Sequence, residues 1–195
     1  LIVAALTLFA SVASAQRRMT ATEYIHKFME LAVIDQDIYG IPASITMAQG
    51  ILESDCGNSR LATEANNHFG IKCKSDWTGG TILHDDDAKN ECFRKYGTAE
   101  ESFRDHSEFL DKSPRYQALF DLDITDYEGW ARGLKAAGYA TNPRYAELLI
   151  KVIEDNRLFL LDTENGEPYA LAMGIARPGT VGTPGTGRPA GEPVY

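Results

Sequence analysis

Apolar residues recur at helical spacing along most of the chain, and several of the runs open at a residue able to cap a helix. Ile25, Phe28, Leu31 and Ala32 share one face behind Thr20-Ala21-Thr22-Glu23, a hydroxyl and a carboxylate spaced for a capping box. They predict a first helix running toward Gly40. Ile45, Ala48, Ile51 and Leu52 form the next apolar face, with Pro42 suited to its first position and Gly57 offering a left-handed residue at its close. Further on, Thr98-Ala99-Glu100-Glu101 predicts the cap of a helix carrying Phe103, Phe109 and Leu110, and Thr125-Asp126-Tyr127-Glu128 that of one carrying Trp130 and Leu134. Asn142-Pro143 starts the last, whose apolar face is Leu148, Leu149, Val152 and Ile153. The period breaks in the middle. Asn58, Ser59, Asn66, Asn67 and Gly70 mark loop or broken helix between Gly57 and Lys74. Trp77-Thr78-Gly79-Gly80 then opens a β-rich run, Thr81 to Leu83, which an acidic turn joins to Cys92-Phe93-Arg94-Lys95-Tyr96 as a hairpin. The prediction is an α+β domain, mainly α, with a small β-hairpin lobe inserted in a helical body and a groove between the two lobes.

The two ends read differently from this middle. Leu1 to Ala13 is almost purely apolar and leads into Ala13-Ser14-Ala15, a small-x-small cleavage pattern. Residues 1–15 are therefore expected to be an export signal, truncated at its start, and an uncleaved anchor is the rival reading. Residues 16–161 form the expected domain. From Asp162 onward the periodicity fades and Gly and Pro recur, so 162–195 is expected to be a flexible tail or linker. The chain of 195 residues, 44% hydrophobic, suffices for one domain with a real core. A formal charge of -9 with no basic cluster argues against a nucleic-acid partner and leaves neutral or cationic ones. A monomer with no stable membrane span after signal cleavage is expected. Of three cysteines, Cys73 and Cys92 flank the hairpin and are the expected disulfide, leaving Cys56 free. A thiol nucleophile, Cys56 or Cys73 with His68 or His106, stands as an alternative, although no basic cluster favours a thiolate there. The four histidines are scattered, so no metal or cofactor is expected.

Within this frame Glu53 is the residue with the clearest chemistry. It falls in the last turn of the second predicted helix, where the negative end of the dipole and any burial beside the apolar face both disfavour an anion. A carboxyl held neutral near pH 7 can donate a proton; left in open solvent, the same residue is an ordinary surface glutamate.

Several separated motifs sharpen this. Ala48-Gln49 through Glu53-Ser54 and Gly57-Asn58-Ser59, Asn67-His68-Phe69-Gly70-Ile71-Lys72, Phe93-Arg94-Lys95-Tyr96 with Glu101-Ser102-Phe103 and Asp105-His106, and Gly138-Tyr139-Ala140-Thr141-Asn142-Pro143-Arg144-Tyr145-Ala146 occur in order. Together they resemble family 73 glycoside hydrolases, the glucosaminidase domains of flagellar muramidases and bacterial autolysins, over Thr20 to Leu161. The resemblance implies a lysozyme-like helical domain with a β-lobe that cuts peptidoglycan glycan strands after N-acetylglucosamine, outside the cytoplasm. It matches Glu53 to the general acid.

The family carries its second carboxylate on the hairpin, often in a Thr-x-Glu context; here the run reads His84-Asp85-Asp86-Asp87. Asp86 and Asp87 are the candidates for activating water, with Glu91 next, and a solvated acidic turn is the alternative. A third route uses the substrate's own 2-acetamido group. By resemblance Tyr139 is the strongest sugar-binding residue, and Phe69 and Trp77 are expected to line the groove or to pack in the core. Asn67 is a candidate for holding an acetamido group or for closing a turn, Gln49 for orienting Glu53 or sitting in the groove wall, and His68 is read as structural. Rival functions are a muramidase or lytic transglycosylase of the same fold and a noncatalytic wall-binding module; an amidase lacks a visible zinc-ligand set.

Overall fold

The computed structural model describes residues 17–163 and 166–175. The expected signal segment, 1–15, lies outside the described residues, as does the tail beyond residue 175.

Helix α1 (Ala21–Tyr39) opens on the capping box: Thr20 accepts from the Glu23 backbone N–H while the Glu23 carboxylate accepts from the Thr20 N–H. Gly40 closes it in the left-handed region at φ 71°. Helix α2 (Ala43–Ser54) follows after three residues. Ten of its twelve residues are buried, so it is the central strut of the body rather than an amphipathic surface helix. Pro42 is its N-cap rather than its first helical residue and offers no side-chain acceptor. The orphan N–H groups of Ala43 and Ser44 are instead taken by Gln36 Oε1 (2.7 Å) and Asp162 Oδ1 (2.8 Å). α2 ends earlier than Gly57 suggests, because Asp55 and Cys56 themselves turn left-handed at φ 53°. Close approach fixes the α1–α2 contact: a methyl built on Gly50 lies 2.6 Å from the hydroxyl of Tyr24.

The polar stretch that follows contains a short helix, α3 (Arg60–Ala65), N-capped by Ser59. Strands β1 (Gly80–His84) and β2 (Glu91–Lys95) then pair antiparallel with Ile82 opposite Phe93, as expected. Lys72 adds a third rung beside Phe93, and the Cys73 N–H bonds the Cys92 carbonyl at 2.8 Å. The Cys73–Cys92 disulfide therefore joins neighbouring extended segments, at a Cα separation of 5.4 Å, rather than the two ends of the hairpin.

Helix α4 (Ala99–Lys112) is capped by Thr98 as predicted. A three-ten helix, Pro114–Asp121, comes next and has no periodic signal in the sequence. Helix α5 (Tyr127–Ala136) is capped by Asp126, not Thr125, whose hydroxyl bonds Asp123 instead. Helix α6 (Tyr145–Asp155) starts two residues beyond Pro143. Trp130, Leu134, Leu149 and Ile153 from these helices close on Ile45, Met47 and Ala48 of α2 as one core. Among the described residues no helix is long and apolar enough to cross a membrane.

The expected flexible tail starts too early. A second three-ten helix, Leu158–Asp162, and helix α7 (Glu167–Met173) extend the folded body, with Asp162, Tyr169 and Ala170 buried. Gly166 and Pro168, the first of the glycines and prolines whose recurrence suggested a tail, are a helix N-cap and a first-turn proline, positions where both residues start helices.

Asp162 is the buried anchor of this extension. Its carboxyl accepts the Ser44 N–H at 2.8 Å and the Ser44 hydroxyl at 2.6 Å. Burial pushes it up to about 7 from 3.8, against the pull of those two donors. Between these values the folded state keeps a proton that the unfolded chain has released, so stability is greatest below the lower value and falls as pH rises through the upper one. Asp162→Asn keeps an acceptor for Ser44 and cannot ionise; it should flatten the fall in Tm between about pH 4 and pH 7 that the parental protein shows in thermal denaturation.

Candidate active site

A groove of about 510 Å³ separates the helical body from the hairpin lobe. Glu53, one residue before the end of α2, opens into it together with Phe69, Asp86, Asp87 and Tyr139. Glu53 is exposed to solvent as a residue, while the groove walls surround its carboxyl. Desolvation by those walls is the largest influence on it and raises its pKa; a hydrogen bond from Tyr145 pulls the other way, and the charge of Asp86 adds to the rise.

Behind Glu53 runs a buried relay. Tyr145 Oη donates to Glu53 Oε1 at 2.9 Å and accepts from Gln49 Nε2 at 3.1 Å. Gln49 Oε1, left as an acceptor, meets His106 Nε2 at 3.1 Å, which puts the imidazole hydrogen on that nitrogen. Complete burial holds His106 down to about 3, so it stays a neutral donor. Its ring is stacked on Phe69 with centroids 4.0 Å apart. All three donors point toward Glu53. Oε1 is thereby fixed as an acceptor, and the proton of the neutral acid belongs on Oε2.

The aromatic wall continues from this relay. Tyr139 stacks on Tyr145 at 5.6 Å and 18°, half-buried, and borders the groove as expected. Phe69 is both groove floor and core, only 4% exposed and edge-on to Phe103. On the opposite side Lys72 reaches Asp86 at 3.1 Å, Asp87 at 3.3 Å and Glu91 at 2.9 Å. Asp86 and Asp87 border the groove, whereas Glu91 is held between Lys72 and the Ala88 N–H, which keep it below the usual carboxylate range. One oxygen from each of the three acids lies within 4.8 Å of the others, and the Lys72 ammonium is the cation they share.

Three of the residues named for the groove do not line it, and of the two roles given for each, Asn67 closes a turn and Gln49 orients Glu53. The Asn67 amide bonds the carbonyls of Ile71 (3.0 Å) and Arg94 (2.9 Å) and accepts from the Ile71 N–H, bracing the turn that carries Phe69. Trp77 donates to the Gly80 carbonyl and lies under the Arg94 guanidinium at 4.6 Å, and it is not among the residues that line the groove. Gln49 is fully buried and acts on Glu53 through Tyr145 rather than on a ligand. His68 is structural as expected, bonded to the Tyr24 hydroxyl at 3.0 Å. The thiol alternative has no base: His68 and His106 are engaged with Tyr24 and Gln49, burial pushes the Cys56 thiol up, and Cys73 is in the disulfide. Tyr145 and Lys72 were legible only as members of longer motifs; Tyr145 lies six residues after Tyr139 in the same run.

Residues 29–158 match the glucosaminidase family, described as mannosyl-glycoprotein endo-beta-N-acetylglucosaminidase. The chain belongs to this family. The chain is 36% identical over 138 residues to exo-glucosaminidase LytG of Bacillus subtilis (strain 168), covering 65% of this chain and 48% of that protein. It thus spans about half the length of that relative. Its fold is similar to a peptidoglycan hydrolase from Sphingomonas sp. A1 (TM-score 0.63, 31% identity, 71% of this chain and 90% of that one). It is also similar to the glycoside hydrolase domain of Salmonella typhimurium FlgJ (TM-score 0.62, 26% identity, 80% and 99%). The lysozyme-like body with a hairpin lobe expected from the motifs is therefore the fold observed.

The relay makes a directional prediction. Tyr145→Phe removes the hydrogen bond that favours ionised Glu53, so the Glu53 titration midpoint, followed by carboxyl carbon NMR, should rise above its parental value. An unchanged midpoint would show that the bond does not form in solution.

Proposed function

We propose that this member of the family is a peptidoglycan hydrolase that cuts the β-1,4 bond after N-acetylglucosamine, with Glu53 as general acid. The observation that carries the reading is a carboxyl with a raised pKa, recessed in a groove and facing an acidic hairpin turn. The names of its relatives, a glucosaminidase and a peptidoglycan hydrolase, support it.

In this reaction Glu53 gives its proton to the glycosidic oxygen as the bond to the anomeric carbon breaks, and positive charge develops on the sugar ring. Asp86 is the favoured base, taking a proton from the water that attacks the opposite face. Its charge is the carboxylate charge felt at Glu53, which supports Asp86 over Asp87 and Glu91. Glu53 ends ionised and Asp86 protonated, and exchange with solvent resets both. The contact of Asp86 and Asp87 with Lys72 favours a second route, in which the substrate's acetamido oxygen closes on the anomeric carbon and no protein base is needed. The reading carries with it a monomer working in the cell envelope, exported by the apolar segment 1–15 and followed by a Gly/Pro-rich linker after residue 175.

Glu53→Gln should retain the parental Tm and lower the rate of sacculus lysis by about 100-fold or more, as expected for loss of a general acid. Lysis at the parental rate would sink the assignment. Mass spectrometry of the released fragments should find reducing N-acetylglucosamine ends; anhydromuramic ends would identify a lytic transglycosylase instead.

The base has its own measurement. In the series Asp86→Asn, Asp87→Asn and Glu91→Gln, the expected order of damage to kcat puts Asp86 first, and near-parental kcat in all three would select the acetamido route.

A further inference from the structure

The groove holds two cations that the proposed chemistry does not use. Lys74 and Arg115 both border it, from the segment beside the hairpin and from the three-ten helix Pro114–Asp121. Among the described residues neither is paired with a carboxylate, whereas Lys72, two positions away, contacts three. Both cations instead lie over the ring of Phe109, Lys74 Nζ at 4.7 Å and the Arg115 guanidinium at 5.7 Å, and Arg115 also sits 4.6 Å from the ring of Tyr116. An aromatic face orients a cation without neutralising it, so both keep their capacity for an anion. In a chain of net charge -9, this corner of the groove reverses the local sign.

Its place relative to Glu53 is defined by a row of rings. Arg115 Nη1 reaches the Gly138 carbonyl at 3.5 Å, next to Tyr139. From there the path to the acid runs through Tyr139 stacked on Tyr145 at 5.6 Å, while Tyr116 stands 6.2 Å from Tyr139 on the far side. Neither cation is among the charges that act on the Glu53 carboxyl, so they suit a substituent of a neighbouring sugar rather than the bond being broken.

We propose that Lys74 and Arg115, held over Phe109, form a subsite for a carboxylate borne by the glycan strand. The inference rests on the glycan substrate proposed above. A guanidinium fork matches a carboxylate in two parallel hydrogen bonds, and the lysine adds a point charge. A polymer of N-acetylglucosamine alone offers no such group. The peptide stem on muramic acid does, as does the lactyl ether wherever the stem is absent and its carboxyl is free, so the subsite gives the groove a means of preferring wall glycan to neutral chitin-like chains.

The test compares kcat/KM on stem-bearing wall glycan fragments with kcat/KM on a neutral N-acetylglucosamine oligomer. In the double variant Lys74→Gln/Arg115→Gln the ratio of the two should fall by about tenfold, chiefly through KM on the anionic fragments, the size expected for one lost charge-assisted contact. The charge-keeping pair Lys74→Arg/Arg115→Lys should hold the ratio near its parental value. Raising salt to about 1 M, where charges are screened beyond about 3 Å, should bring the parental ratio toward that of the Gln pair. Strands stripped of their stems expose the lactyl carboxylate that the amide bond to the stem had consumed: a defect that persists on them shows that the subsite accepts either carboxylate, and one that disappears shows that it requires the stem's own. An unchanged ratio in the Gln pair, or an equal fall in the charge-keeping pair, overturns the subsite. Absence of turnover by the parental protein on both substrates would sink the glycosidase reading; the same comparison made on Kd by calorimetry would still decide the subsite.

Discussion

A helix enclosed on every side must have its end groups satisfied by other parts of the chain, and α2 sets the arrangement of this domain for that reason. Its N-terminal N–H groups find no acceptor in Pro42, so Gln36 from α1 and Asp162 from beyond α6 come to them. At the other end the helix delivers Glu53 to the groove, where Tyr145 from the start of α6 meets it. The body is thus assembled around one strut each of whose ends meets a partner from far along the chain, Asp162 118 positions from Ser44 and Tyr145 92 positions from Glu53. The acid is placed by the core, since every element that touches α2 helps to decide where its last turn emerges.

The hairpin lobe obeys a different economy of contacts. Two strands cannot bury much, and only Phe93 among the ten strand residues is buried. The lobe is held by directed interactions instead: the Cys73–Cys92 link, the rung at Lys72, and an ion pair in which Arg94 Nη1 contacts both carboxylate oxygens of Asp105 of α4 at 2.8 and 2.9 Å. That pair is largely enclosed and is joined by the Tyr96 hydroxyl, so its geometry is more constrained than that of the exposed i,i+4 pairs on the outer helices. Asp86 and Asp87 therefore sit on a turn whose base is tied to the helical body while the turn itself is open to the groove.

Much of this was readable from local chemistry. Thr20 with Glu23, and Thr98 with Glu101, carry their cap signals within four residues, and the alternation around Thr81 and Phe93 needs no distant partner to define a hairpin. What the sequence concealed depended on orientation. Gln49, Asn67 and Trp77 are polar or amphipathic residues whose types suit a sugar, yet each satisfies its hydrogen bonds within the protein, a distinction set by tertiary neighbours. Tyr145 lay inside a recognisable motif, but its role follows from a contact 92 positions back in the chain. Helix α7 was hidden because glycine and proline break helices in their interiors and begin them at their ends. The three-ten helix Pro114–Asp121 has no sustained apolar period for the eye to follow.

Gly50 gives the arrangement an unexpected reach. The hydroxyl of Tyr24 occupies the space where any side chain at position 50 would begin, so α1 and α2 touch backbone to ring one turn before the acid. Even an alanine there would have to displace the Tyr24 ring or the helix that carries it, and a shift of α2 in response would arrive at Glu53 from behind, without changing the chemistry of the groove wall. The positions that govern the carboxyl are consequently a wider set than the positions that line its pocket. Variation among natural or engineered forms of the domain that changes turnover can arise on the hidden side of the strut, at a residue no substrate will ever meet.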